Sequence, residues 1–207
     1  MSFTSNVKNE VSKLETLEHE NVSELSAIVR NSEVGSEKII ISTENASVAR
    51  RIFNLIKSIY GISAQIIVRK GYNYSKKYIY MLEIRQKINQ IVSSLSIKNV
   101  PDDFIVDDDE LKMAYLRGLF LICGSVNDPK KSRYHLEFTV DNYDYAIFVS
   151  QILNHFYLNS KILKRDSKYM VYVIHCIWTI ACSGYLNTLE GRYFRIKLFA
   201  NFSFLRL

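Results

Sequence analysis

Residues 114–126 read AYLRGLFLICGSV, an apolar stretch whose one charge is Arg117 and whose end is marked by Gly124. It is helical in length and has too little polar surface to face water along any side, so it belongs in an interior. The elements that follow it fix the fold. YHLEFTV, Tyr134 to Val140, reads as a strand. DNYDYAIFVSQILNHFYL, Asp141 to Leu158, has apolar residues at Ala146, Val149, Ile152, Leu153 and Phe156, the spacing of a helix. KILKRD and KYMVYV, from Lys161 to Val173, form a tight strand pair.

The same order occurs once before. ELSAIVRNSEVG, Glu24 to Gly35, is the first apolar helix, and KIIIST, Lys38 to Thr43, is a β-rich run. ENASVARRIFNLIKSIYG, Glu44 to Gly61, is helical by the spacing of Val48, Ile52, Leu55, Ile56 and Ile59; Asn45 is its N-cap and Gly61 its stop. AQIIVRK (Ala64 to Lys70) and KYIYMLEI (Lys77 to Ile84) are strands joined by the turn-rich GYNYSK, and a helix follows over Arg85–Ser96. Leu25 corresponds to Leu116 at an offset of 91 and Asn45 to Asn142 at an offset of 97, the increase falling in the loop NDPKKSR. The chain thus divides into a leading segment 1–21 with a helix near Ser5–Leu17, a first repeat 22–97, an acidic linker 98–110, a second repeat 111–173 and a tail 174–207. This is an α+β fold of two pseudo-symmetric halves. Ser26, Ala27 and Gly118 are small enough to let the two apolar helices approach closely where the halves meet, or merely to ease packing against another element; spacing leaves both open.

Composition narrows the class. With 48% hydrophobic and 23% charged residues, the chain is globular rather than disordered. Its start, MSFTSNVKNEVSKLE, has no apolar core of a secretory signal, and no run of 18 apolar residues marks a membrane span. Three cysteines, Cys123, Cys176 and Cys182, fit a reducing cytoplasm better than a disulfide framework. The net charge of +6 invites a nucleic-acid reading, yet half of it comes from residues 174–207.

Met113 to Glu137, MAYLRGLFLICGSVNDPKKSRYHLE, resembles the WhiA family of bacterial regulators; MSFTSNVKNEV at the start and TENASVARRIF, Thr43 to Phe53, resemble it as well. The resemblance covers residues 1–173. It implies two halves like LAGLIDADG homing endonucleases, followed by a C-terminal helix-turn-helix domain. It also implies a nucleoid-associated transcriptional regulator tied to sporulation, cell division and chromosome segregation. The implied partners are double-stranded DNA and other regulatory proteins, with no cofactor and no membrane. Two features depart from the family pattern. The first apolar helix, LSAIVRNSE, is poorer in glycine than expected, and a chain ending at Leu207 leaves no room for the helix-turn-helix domain.

A LAGLIDADG nuclease needs an acidic residue near the end of each repeat helix, where the two carboxylates together hold divalent metal beside the scissile phosphates. Aligned from Leu25 and Leu116, those positions carry Ser32 and Cys123, neither a carboxylate; Glu33 lies one position on and reads as a solvated helix end. The run Asp107, Asp108, Asp109, Glu110 points in several directions on a helix and reads as an acidic first turn favoured by the dipole. His19, His135, His155 and His175 show no ligand spacing. The expectation is no enzymatic activity and no metal site.

For DNA, the strand ends and turns supply candidates. They are Arg69, Lys70, Lys76 and Lys77 in the first copy, and Lys130, Lys131, Arg133, Lys161, Lys164, Arg165 and Lys168 in the second. In the nuclease relatives the strands of both halves form a saddle over the DNA groove, so these can form one basic surface, with Tyr72 and Tyr74 interleaved. Lysines on exposed strands also protect edges and keep a protein soluble. A second function therefore stands beside the DNA-binding regulator: a scaffold that binds a protein or ligand and has no DNA binding of its own. The tail, IHCIWTIACSGYLNTLEGRYFRIKLFANFSFLRL, breaks the family pattern and has neither helical nor strand periodicity. A shifted reading frame accounts for it, and would leave Trp178, Tyr193, Phe194, Phe199, Phe202 and Phe204 exposed. A divergent ending that packs on the sheet is the alternative.

Overall fold

Asn45 and Asn142 start the two long helices in the same way. Each side-chain oxygen accepts hydrogen bonds from two backbone N–H groups of the following turn: Ser47 and Val48 in one case, Asp144 and Tyr145 in the other. That satisfies donors the helix itself leaves orphaned. Gly61 ends the first of these helices with φ at +67°, a left-handed conformation that glycine adopts without a Cβ penalty.

The structure, a computed structural model, describes residues 2–70, 78–97, 100–128 and 135–174. Two units emerge: Lys8–Ile122, and Met1–Val7 together with the chain from Cys123 onward. In the first, α2 (Glu18–Arg30) leads into β1 (Glu33–Val34) and β2 (Ile39–Thr43). Then come α3 (Ala46–Tyr60), β3 (Gln65–Lys70), β4 (Tyr78–Ile84), α4 (Ile88–Ser94), a 3-10 turn at Asp103–Ile105 and α5 (Asp109–Cys123). The second contains β5 (Gly124–Val126), β6 (His135–Val140), α6 (Tyr143–His155), β7 (Lys161–Arg165) and β8 (Lys168–Ile174). A leading helix, α1 (Phe3–Val11), precedes them all.

Both sheets are antiparallel and share one topology, β1-β2-β4-β3 and β5-β6-β8-β7. Alternation along the strands gives each sheet one core face. In the first, Ile39, Ile41, Leu82 and Ile84 are buried with Val48, Ile52, Leu55 and Ile56 of α3. In the second, Leu136, Phe138, Val140, Val171 and Val173 are buried with Ala146, Val149, Ile152 and Leu153 of α6. This is the α+β fold with two alike halves that the repeat predicts.

Several bounds differ from the sequence reading. The leading helix spans Phe3–Val11, not Ser5–Leu17, and the segment before the first repeat already contains the start of α2 at Glu18. The polar turn EHEN holds no apolar stripe, so periodicity missed it, although acidic residues suit a helix N-terminus. The stretch 114–126 is not helical throughout: α5 ends at Cys123, and Gly124–Val126 pairs with β6. Ser32 to Gly35 likewise leaves the helix for β1. The helix after β4 is shorter than 85–96, because Lys87 sits at φ 55° ahead of it and Ser96 at φ 51° beyond it. The readings of the tail fall on residues 175–207 and lie outside the described residues, except for the strand end at Ile174.

Candidate nucleic-acid interface

Strand register sorts the basic residues by face. Paired residues point the same way, so the face of the first sheet away from α3 carries Glu33, Ile40, Ser42, Gln65, Ile67, Arg69, Ile79, Met81 and Glu83. The equivalent face of the second carries Ser125, His135, Glu137, Thr139, Lys161, Leu163, Arg165, Lys168, Met170 and Tyr172. Following the pairings across each sheet matches Gln65 with Lys161, Ile67 with Leu163, Arg69 with Arg165, Met81 with Met170 and Glu83 with Tyr172. The apolar centre is retained in both, while the charges differ. Among the described residues, the first face carries one strand cation, Arg69, with the exposed Glu33 and a buried Glu83 that pairs with Arg85, and the second carries three cations against Glu137.

Of the eleven candidates, Arg69, Lys70, Lys161, Lys164, Arg165 and Lys168 are described and all are exposed. Lys76, Lys77, Lys130, Lys131 and Arg133 lie outside the described residues, as do Tyr72 and Tyr74. Arg69, Lys161, Arg165 and Lys168 share the uncovered faces, whereas Lys70 and Lys164 fall on the helix-side parity. Lys168 is 3.0 Å from the Asp141 carboxylate, and both groups are exposed, so the pair holds it only weakly. His135 stacks on Tyr172 with the rings 8° from parallel and 5.4 Å between centroids, and its Nε2 lies 3.2 Å from Glu137.

Within the Lys8–Ile122 unit, α2 and α5 meet backbone to backbone. A Cβ placed on Gly118 would sit 2.2 Å from the Glu24 carbonyl oxygen, so only glycine fits there. Ser26 acts elsewhere, its hydroxyl donating to the Leu95 carbonyl at 2.7 Å. Beside the close approach lies a buried ionic network. The fully buried Glu24 carboxylate accepts from Arg51 Nε, from Arg51 Nη2 at 2.8 Å and from Arg117 Nε at 2.6 Å. Arg117 Nη2 also donates to Glu20 at 2.7 Å. Burial alone would push the Glu24 carboxyl up; the hydrogen bonds and charges of Arg51 and Arg117 outweigh it and hold the group below the usual carboxylate range. Burial likewise opposes the charge of Arg117, and the charge and hydrogen bonds of Glu24, with those of Glu20, more than restore it. Sequence reading missed this network. Charged residues inside an otherwise apolar repeat helix, Glu24 in one and Arg117 in the other, were its only signal.

The helix ends carry no carboxylate pair. Strand register equates Glu33 with Ser125, since each faces the corresponding residue of the next strand, Ile40 or Glu137; Asn31 rather than Ser32 then matches Cys123. Asn31 donates to the Ala27 carbonyl and Ser32 to the Ile28 carbonyl, both at 2.8 Å, so each side chain closes the end of its own helix. In the acidic run, Asp108 accepts from the Leu111 N–H at 2.7 Å and starts α5. The fold does gather a set that linear spacing hid. His19, Glu20 and Glu110 each place a ligand-type atom within 4.8 Å of the others, with His19 Nε2 3.3 Å from Glu110. Glu20 is already held by Arg117, and the set ties the first turn of α2 to that of α5.

The WhiA N-terminal LAGLIDADG-like domain matches residues 18–98, and the WhiA LAGLIDADG-like domain matches residues 112–176. The chain belongs to the WhiA family. Among curated relatives, it is 36% identical over 184 residues to the "Probable cell division protein WhiA" of Staphylococcus saprophyticus. It is 35% identical to the protein of that name from Staphylococcus aureus. Each alignment takes in 84% of this chain but 59% of the relative, so the chain spans less than two thirds of their length. The crystal structure of a DUF199/WhiA N-terminal LAGLIDADG domain superposes with a TM-score of 0.66 at 24% identity, covering 83% of this chain and 85% of that one. Full-length DUF199/WhiA from Thermatoga maritima gives 0.68 at 20% identity, covering 96% and 61%. The endonuclease I-DmoI, in complex with DNA and Mn, gives 0.54 at 14% identity, covering 80% and 96%. These structures establish the LAGLIDADG homing-endonuclease-like fold. The WhiA relatives are named as cell division proteins, not as enzymes. Among the described residues, no helix is long and apolar enough to cross a membrane.

Proposed function

We propose that the chain is a non-catalytic, DNA-associated regulator of the WhiA type, acting in gene expression linked to cell division, chromosome segregation or sporulation. The observation that carries this reading is the uncovered face of the second sheet, where Lys161, Arg165 and Lys168 share one side with Tyr172 and His135. Antiparallel strands of this kind fit a major groove, and cations on them neutralise phosphates. A relative of the same fold, I-DmoI, was crystallised with DNA and Mn. The absence of a carboxylate pair at the ends of α2 and α5 supports recognition without cleavage. Repeat bounds of 22–97 and 111–173 form part of this proposal.

The test is duplex binding by fluorescence anisotropy across a salt series. Replacing Lys161 and Arg165 by alanine weakens binding and flattens the dependence of log K on log salt, by about 0.9 for each phosphate no longer neutralised. Unchanged affinity and slope would overturn the assignment of this face. A specific observation supports the second reading, a scaffold without DNA binding of its own. The first uncovered face has Ile40, Ile67, Ile79 and Met81 at its centre with the exposed Glu33 beside them and Glu83 buried in a pair with Arg85, a surface suited to a protein or apolar ligand. Under that reading no duplex binds in the same salt series.

A further inference from the structure

On the helical side of the Lys8–Ile122 unit, a groove of about 390 Å³ runs between the strap 12–16 and the outer surface of α3. That size falls within the range of small-molecule sites, about 300–1,000 Å³. The uncovered face of this unit's sheet lies on the other side of α3, and none of the groove's residues belongs to the DNA contact proposed above.

Every charged residue among those lining it is a cation: Lys13, Arg50 and Arg51. Arg51 builds the wall. Its Nη1 donates to the Leu14 carbonyl at 2.7 Å and to the Ser12 carbonyl at 3.2 Å, fixing the strap, while its Nε and Nη2 hold Glu24. Four of its five N–H donors are therefore spent inside the protein. Lys13 and Arg50 are exposed, and among the described residues neither side chain has a hydrogen bond or ion pair. Along α3, Ser47, Arg50, Asn54 and Ser58 follow at intervals of three or four residues, so they form one polar stripe facing the strap. Leu14 and Leu55 supply apolar wall.

Two unpaired cations over a polar stripe, with no carboxylate in the lining, match a multiply charged oxyanion rather than a single carboxylate. The arginine fork and the lysine ammonium are the two standard phosphate donors. The strap walls one side and leaves a trough of small-ligand size rather than a track for a duplex. We propose that this groove binds a phosphate-bearing small molecule, with Lys13 and Arg50 on the phosphate and the Ser47–Asn54 stripe on its other polar groups.

The probe is inorganic pyrophosphate, titrated by calorimetry into the whole 207-residue chain at fixed ionic strength, with sulfate as a control oxyanion that lacks the phosphoanhydride. Saturable pyrophosphate binding is expected, weakened about tenfold or more in Lys13→Glu/Arg50→Glu through loss of charge-assisted hydrogen bonds. Both positions are exposed, and an unchanged Tm, with Arg50→Gln as a milder companion, separates lost binding from lost folding. Affinity equal in the variants, absence of saturation, or sulfate binding as tightly as pyrophosphate would overturn the proposal. Displacement of pyrophosphate by duplex DNA would instead assign the groove to the DNA backbone and overturn the small-molecule assignment. Duplex binding that depends on Lys161 and Arg165 is read separately, so failure of one proposal leaves the other standing.

Discussion

Replacing Glu24 by glutamine keeps the shape of the side chain and removes one negative charge from the centre of the helix pair. The network holds two guanidinium groups, Arg51 and Arg117, against two carboxylates, Glu24 and Glu20. Arg51 is 8% exposed, Arg117 6% and Glu24 0%. The substitution therefore leaves a net positive charge in a place water does not reach. It also turns an amide donor toward a guanidinium donor. Breaking one side of such a buried pair costs about 3–5 kcal/mol, a large part of the total stability of about 5–15 kcal/mol for a domain. For a chain of this size the expected fall in Tm is about 6–20 °C. Urea denaturation followed by far-ultraviolet dichroism reads the same quantity as a lower midpoint. The companion variant Glu24→Gln/Arg117→Met restores the balance of charge but leaves Glu20 without its Arg117 donor, so coupling between the two sites should recover only part of the loss. Arg51 is left in place because it also holds the Ser12 and Leu14 carbonyls. A loss below about 1 kcal/mol for Glu24→Gln would refute the reasoning, since the charge would then have found water or another partner.

Because the folded Glu24 carboxyl lies below its unfolded value near 4.5, its contribution to stability is present above that value and fades as pH falls through the folded one. The urea midpoint measured from about pH 6 to about pH 3 should drop more steeply for the parent chain than for Glu24→Gln; parallel curves would contradict this. Gly118→Ala should cost about 3 kcal/mol, the upper part of the range for overpacking, because the Glu24 backbone carbonyl it meets cannot turn aside. A Tm equal to the parent's would show that α2 and α5 part freely. Asn45→Ala and Asn142→Ala should each lower stability by about 1 kcal/mol in thermal melts, as loss of an N-cap does, with equal effects in the two repeats. Supercoiled plasmid incubated with Mg²⁺ or Mn²⁺ should remain intact; metal-dependent nicking that disappears in Glu33→Gln would identify a catalytic acid one strand position away from the helix ends.

Local rules carried some features and failed at others. The N-caps at Asn45 and Asn142 and the stop at Gly61 could be read because capping is decided by neighbouring residues and backbone geometry. The strands β1 and β5 could not, since two or three residues become a strand only through a partner, here β2 and β6. The start of α2 was hidden for a related reason. Its first turn is polar, and only Arg117 from a distant helix explains why Glu20 is buried there. The candidate basic residues were visible as a set but not as a surface. Lys164 and Arg165 are neighbours in sequence and point to opposite faces, whereas Lys161 and Arg165 share one.

The sequence by itself determined the repeat, the order of its elements and the apolar helix in each copy. These follow from periodicity, capping and residue identity, which short stretches carry on their own. Tertiary structure alone decided which side chains meet: Glu24 with Arg51 and Arg117, Gly118 with the Glu24 backbone, His19 with Glu110, and the strap 12–16 with α3. Glu24 lies 27 residues from Arg51 and 93 from Arg117. Contacts at such separations form only when burial of the apolar helix and sheet faces brings those segments together, and no local pattern encodes them.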